Sequence, residues 1–267
     1  MYRLMIAAAV LASPAVAQAQ ANPATVTPFA LGTGTYSQNF DTLASTGTTG
    51  IALPTGWQVI ETGGNTSYGV SNGTANGGGS YSFGANGNAE RALGSLASNA
   101  VTQVLFGGVL TNATGSTITD LAFAYTGEQW RVANAASDSL VFQYQIGATG
   151  LGTGSWTTVA GLAFAPLFAN GTGQGAMLNG NLPVNQRAIG STIGLSLAAG
   201  QNFGFRWVDS NAANTDQGLA IDNLSITATL AAVAPVPEPA SWAMMIAGVG
   251  LVGAATRRRT GTRVRFA

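Results

Sequence analysis

Between about residues 30 and 230 the chain is a succession of short runs in which apolar and polar residues alternate. Phe142, Tyr144 and Ile146 are separated by Gln143 and Gln145, and Phe203, Phe205 and Trp207 by Gly204 and Arg206. A period of two places one set of side chains on one face of an extended segment and marks a half-buried strand. On this basis strands are predicted at 34–40, 57–60, 80–83, 91–96, 102–110, 118–125, 129–133, 139–146, 156–160, 192–197, 202–208 and 219–230. Asn112-Ala113-Thr114-Gly115, Asn170-Gly171 and Asn179-Gly180 supply the turn chemistry between them. Windows with a 3.6-residue period are scarce. Many short strands without alternating helices predict an all-β domain, an antiparallel two-sheet sandwich of jelly-roll or concanavalin-like type. No fixed period repeats, which disfavours a propeller or a β-helix.

The two ends break this pattern. Met1-Tyr2-Arg3, the apolar stretch Leu4 to Ala12 and the small residues Ala15 to Ala21 follow the order of a secretory signal peptide, with cleavage after Ala19 or Ala21. Its apolar core is expected to be helical and is too short to span a bilayer stably. At the other end Pro235, Pro237 and Pro239 stop regular structure. Ser241 to Ala255 then runs without a charge for about 15 residues, and Arg257-Arg258-Arg259 follows. An apolar stretch before an arginine cluster has the order of a stop-transfer segment, although about 20 residues are needed to span comfortably. A hydrophobic helix with no polar face is predicted there. The chain thus divides into a signal peptide at 1–21, a sandwich domain at 22–234 and a tail at 235–267.

The tail carries a resemblance. Pro237-Glu238-Pro239, Trp242-Ala243-Met244-Met245, Gly248, Gly250 and Arg257-Arg258-Arg259 resemble the PEP-CTERM sorting signal, in the variant written Pro-Glu-Pro-x-x-Trp-Ala-Met-Met. The resemblance implies an exported protein of a Gram-negative cell, in transient contact with the inner membrane. It also implies processing near Pro-Glu-Pro by an exosortase-type membrane transpeptidase, and delivery to the cell surface, outer envelope or extracellular matrix. Such proteins are associated with exopolysaccharide and biofilm. The chain continues past the triple arginine to Arg263, Arg265 and Ala267, slightly longer than the usual signal.

Composition narrows the chemistry. The 267 residues include no cysteine, no histidine and no lysine, and only 7% are charged. Thiol nucleophiles, disulfides, iron–sulfur clusters, histidine-based triads and metal sites, and Walker-type phosphate loops are therefore excluded. Residues 22–234 carry nine acids against four arginines, a net charge of −5. Four scattered arginines on an acidic body argue against nucleic acid as a partner.

A second resemblance covers the body. Phe40-Asp41-Thr42-Leu43, Leu53-Pro54-Thr55-Gly56-Trp57, Tyr125-Thr126-Gly127-Glu128-Gln129-Trp130-Arg131 and Gly218-Leu219-Ala220-Ile221-Asp222-Asn223-Leu224 resemble a jelly-roll module of bacterial surface proteins, similar in outline to concanavalin-like and MAM-type sandwiches. It occurs alone or beside secreted nucleases and adhesins and implies no reaction. Glycosidases need two facing carboxylates, but no strand here carries several acids at alternate positions. Glu128 and Arg131 are expected to pair beside Trp130. Asp209, Asp216 and Asp222, with neighbouring asparagines, are the candidate metal ligands, since oxygen donors at irregular loop spacing suit a structural calcium; solvated turns capping local backbone are the alternative. The expected function is that of a non-catalytic surface or matrix protein with polysaccharide as a partner. The alternatives are a secreted hydrolase acting through Asp and Glu and, less favoured, an ice- or surface-binding protein.

Overall fold

The computed structural model describes residues 25–232 and 241–258. The signal peptide at 1–21, Pro237-Glu238-Pro239 and Arg259 lie outside the described residues. Among the described residues there are fifteen strands: β1 (Phe29–Leu31), β2 (Thr35–Gln38), β3 (Thr49–Gly50), β4 (Trp57–Glu61), β5 (Tyr68–Ser71), β6 (Gly79–Phe83), β7 (Ala92–Leu96), β8 (Gln103–Asn112), β9 (Ile118–Val132), β10 (Leu140–Ile146), β11 (Thr157–Thr158), β12 (Ala176–Met177), β13 (Gln186–Leu197), β14 (Asn202–Ser210) and β15 (Gly218–Leu230). Helix α1 (Ser241–Arg258) belongs to a separate C-terminal unit.

The strands form two sheets. The first runs β1-β8-β14-β10-β11, with β4 and β1 sharing the far edge of β8. The second runs β12-β9-β15-β7-β6-β5-β3, with β13 along β9 and β2 along β15. Pairing is mostly antiparallel, as expected, but β1–β8 and β5–β6 are parallel, so both sheets are mixed. The alternation seen in the sequence sets the core. Phe203, Phe205 and Trp207 of the first sheet are fully buried, and Leu121, Phe123 and Tyr125 of the second join them in one cluster. Trp207 lies 5.1 Å from Phe142 and 5.2 Å from Tyr125, ring to ring, in edge-on geometry. Aromatic pairs of this kind add to the area they bury.

Two strands differ from expectation. The segments expected at 118–125 and 129–133 are one strand, β9, because Gly127 does not break it. A Cβ there would sit 2.6 Å from the Phe164 ring, so this glycine admits an aromatic rather than a turn. The strand expected from 192 begins at Gln186, extended by its pairing with β9 from Glu128 onwards. The short strands β1, β3, β5 and β12 have two to four residues each, too few for a period to register.

Both sheets also bury something on their outer faces. On the second sheet, Phe83, Ala92, Trp130 and Ala220 form a small cluster apart from the main core. The loop between β12 and β13 closes over it. A Cβ on Gly180 would stand 2.3 Å from the Trp130 indole, so only glycine lets this loop approach so closely.

Candidate functional site

The acids of the body gather in two places, and each place is built by the strand period. From Ala122 to Trp130, the even-numbered positions of β9 point to the outer face of the second sheet, where Trp130 packs. Glu128 shares that face and is fully buried. Its Oε2 accepts from the Trp130 indole N–H at 2.9 Å, and its Oε1 accepts from the Gln186 amide at 2.8 Å. Asp222, on the neighbouring β15, also faces outward. A bulge follows it, with Asn223 at φ 50°, so that Leu224 returns to the core. Bulges re-aim side chains in this way. Asn223 donates its amide to Asp222 Oδ2 at 2.7 Å, while Asp222 Oδ1 is buried without a hydrogen-bond partner. Glu90, just ahead of β7, completes the group; carboxylate oxygens of Glu90, Glu128 and Asp222 lie within 4.8 Å of one another. Burial, and then the neighbouring acids, push Glu128 up to about 8 and Asp222 up to about 7. Glu90 is raised by burial and by Asp41.

The second group lies between the sheets at one end of the sandwich. Asp209 continues the inward series Phe203, Phe205, Trp207 and is 1% exposed. Neither of its carboxylate oxygens has a hydrogen-bond partner, and Ser95 Oγ, Asp138 Oδ1 and Asp216 Oδ2 are buried and unpaired as well. Asp138 Oδ2 accepts from the Gln217 backbone N–H at 2.7 Å, and Asp216 Oδ1 from that of Ala212 at 2.9 Å. Burial first and Asp138 second raise Asp209 well above the ordinary carboxylate range. Burial moves Asp138 up to about 7 and Asp216 up to about 6. Two acids in such contact cannot both ionise. Asp209, the more deeply buried, is held protonated.

The three residues singled out as metal ligands therefore part company. Asp209 and Asp216 sit with Asp138, and Asp222 sits with Glu90 and Glu128. The separation is topological: β14 belongs to the first sheet and β15 to the second, so thirteen residues of sequence separation become opposite layers. The pairing expected between Glu128 and Arg131 is not made either. A register shift in the β9–β15 pairing sets Arg131 opposite Gly218, and its guanidinium donates instead to the Gln174 carbonyl. Glu90 and Asp138 carry no local signal in the sequence, because each stands apart from the other members of its group along the chain.

Beside the second acid group opens a polar pocket of about 260 Å³. Asn76, Asn99, Arg131, Asn211, Asn214 and Asp216 line it. Asn211 donates to Asn99 Oδ1 at 3.0 Å, and Asn214 holds a left-handed φ of 77°. Amide and carboxylate groups at several angles suit hydroxyl-rich ligands, which both donate and accept.

In the tail, α1 carries Trp242, Ala243, Met244, Met245, Gly248, Gly250, Arg257 and Arg258. Its apolar side chains are exposed all round, Met244 at 74% and Leu251 at 72%. The transmembrane expectation for this segment needs correction. No helix among the described residues is long and apolar enough to cross a membrane. The 18 residues of α1 take in three glycines, a threonine and two arginines, which shorten and dilute its apolar stretch.

Residues 235–259 match the PEP-CTERM protein-sorting motif. The chain carries this motif and is accordingly an exported protein, recognised by an exosortase and localised to the cell surface or extracellular space. No curated protein sequence matches the chain. Among solved structures, similarity extends to the K2 cleaved adhesin domain of Lys-gingipain, at 18% identity over 73% of this chain and 99% of that one, with a TM-score of 0.39. The K3 cleaved adhesin domain of Lys-gingipain from Porphyromonas gingivalis w83 gives 16% identity over 72% and 98%, with a TM-score of 0.40. An isomalto-dextranase of Arthrobacter globiformis T6 complexed with panose gives 13% identity over 78% and 33%, with a TM-score of 0.31.

Proposed function

We propose that this chain is a non-catalytic surface or matrix protein whose sandwich contacts polysaccharide through the amide-lined pocket. On this reading its tail, after transient contact with the inner membrane, is cut near Pro-Glu-Pro and lost. The observation that carries the reading is the pocket itself. Its lining is dominated by asparagine and other polar side chains and holds a single guanidinium, Arg131, which suits a neutral or weakly acidic sugar better than a phosphate-rich polymer. Glu128 and Asp222, the closest approach to a hydrolytic pair, are buried under the 178–185 loop at 0% and 3% exposure. A glycosidic bond needs room between its two carboxylates, and these have none.

The test is affinity electrophoresis of the purified chain in gels cast with the host's own exopolysaccharide. Retardation is expected, and Asn99→Ala with Asn211→Ala should weaken it about tenfold, the loss of roughly 1.4 kcal/mol of contact. No retardation would sink the binding reading. Release of reducing ends from the same polymer, abolished by Glu128→Gln, would overturn the non-catalytic one. Processing is checked by mass spectrometry of protein recovered from cells: the mature chain should lack Arg257 to Ala267, and an intact Ala267 terminus would contradict it.

A further inference from the structure

The group on the outer face of the second sheet has more negative charge and more unpaired oxygen than its surroundings account for. Asp222 is 3% exposed, and its buried Oδ1 meets no donor although oxygens of Glu90 and Glu128 lie within 4.8 Å. A buried carboxylate oxygen without a partner is costly. Asn181, in the covering loop, touches Glu90 Oε2 through its amide, and its own Oδ1 is also buried and unpaired. Oxygen and nitrogen of such an amide exchange by a half-turn, which would present Oδ1 to the same space. Glu128 is pinned by Trp130 and Gln186, so its position is fixed, and each carboxylate oxygen retains a second lone pair. The nearby guanidinium, Arg91, gives its donors to Ser82, Ala85 and Ser71 and to none of the three acids. Asp41, whose Oδ1 accepts from the Arg91 backbone N–H at 3.2 Å, adds a further negative charge at the edge.

We propose that Glu90, Glu128 and Asp222 form a binding site for a hard divalent cation of the calcium class, with the Asn181 amide oxygen as a fourth donor from the covering loop. The donor set is all oxygen. Hard cations take such sets, whereas zinc and copper favour the imidazole and thiolate that this chain lacks. The separation fits: two oxygens on opposite sides of a calcium ion, each about 2.4 Å from it, stand about 4.8 Å apart. The cation bridges three pieces of chain that are distant in sequence, the β6–β7 connection, the paired strands β9 and β15, and the loop at 178–185. Its consequence is mechanical: it clamps that loop over Trp130. The second acid group has no such role, because Asp138, Asp209 and Asp216 do not bring three ligand oxygens within the same span.

The experiment uses the full chain, stripped with chelator and exchanged into chelator-free buffer at pH 8. Calcium chloride is then titrated by calorimetry, followed by thermal melts and by hydrogen exchange of residues 178–185. One saturable site is expected, with slower exchange in the loop. Melting should rise by roughly 5–10 °C at hundredfold excess over Kd. Asp222→Asn and Glu90→Gln should each abolish the heat and the shift, while Asp138→Asn leaves both intact. Glu90 is only half-buried, so Glu90→Gln decides the matter if Asp222→Asn does not fold. No heat and no shift at millimolar calcium would overturn the proposal, as would an undiminished response in Glu90→Gln or a response lost in Asp138→Asn.

Discussion

The two acid groups contain the same ingredients and meet opposite conditions. Each gathers three carboxyl groups with two or more buried, and each has an asparagine in left-handed conformation beside it, Asn223 in one and Asn214 in the other. The group around Glu128 lies on an outer face, where an indole, the Gln186 amide of β13 and the Asn181 amide of the covering loop reach in with N–H donors. The group around Asp209 lies between the sheets, where backbone N–H groups reach Asp138 and Asp216 but the neighbours of Asp209 are other acids and a serine. Burial raises the acids of both groups above the ordinary carboxylate range, but Glu128 is anchored by side-chain donors whereas Asp209 is held mainly by its neighbouring acids. What differs is the face of the strand and what can reach it, since burial without donors leaves protonation as the way to shed the charge.

The largest effect should come from uncovering the outer group. Trp130→Ala removes a fully buried indole and the donor to Glu128, at a cost of about 3–5 kcal/mol. Urea unfolding should show it, and limited proteolysis should now cut within 178–185. A cost below about 1 kcal/mol would mean that the loop does not depend on this ring.

The inner group should reveal itself through pH. Asp138 is raised to about 7 from an ordinary 3.8, so the folded protein binds a proton more readily than the unfolded chain. That contribution is complete below about pH 4 and is lost as pH rises through about 7. Asp138→Asn cannot titrate, so the difference between wild type and variant reports the coupled Asp138–Asp209 pair. Wild type should lose on the order of 1–3 kcal/mol more than the variant between pH 5 and pH 8. Parallel melting curves across that range would show that Asp138 is not held as an acid.

The smallest effects belong to the two asparagines. Asn223→Ala and Asn214→Ala each place a Cβ-bearing residue without a local hydrogen-bonding group in the left-handed region, costing about 1 kcal/mol. The glycine variants should stay within a few tenths of wild type at position 214. At position 223 some loss remains, because Asn223 also donates to Asp222. Equal values for glycine at both sites would show that the bond to Asp222 contributes nothing to stability.

Much of the architecture was legible from period alone. Phe142, Tyr144, Phe203, Phe205 and Trp207 are placed by alternation, and the structure seats them as the alternation requires. The turn at Asn112 to Gly115 was equally plain: Gly115 has φ 77° and Asn112 Oδ1 accepts from the Thr114 backbone N–H. The tail could be read as well, because a sorting motif is recognised by residues contiguous in sequence. Gly127 misled, since a glycine that admits a ring looks in sequence like one that ends a strand.

Composition, local period and a linear motif sufficed for the all-β class, the exported character of the chain and the absence of thiol and imidazole chemistry. Which acids meet was fixed by the order and pairing of the strands. Asp209 and Asp222 are thirteen residues apart and belong to different layers, while Glu90, Glu128 and Asp222 span most of the domain and share one face. Sheet order and bulge position set those meetings, and both depend on pairings between distant strands that no local pattern encodes.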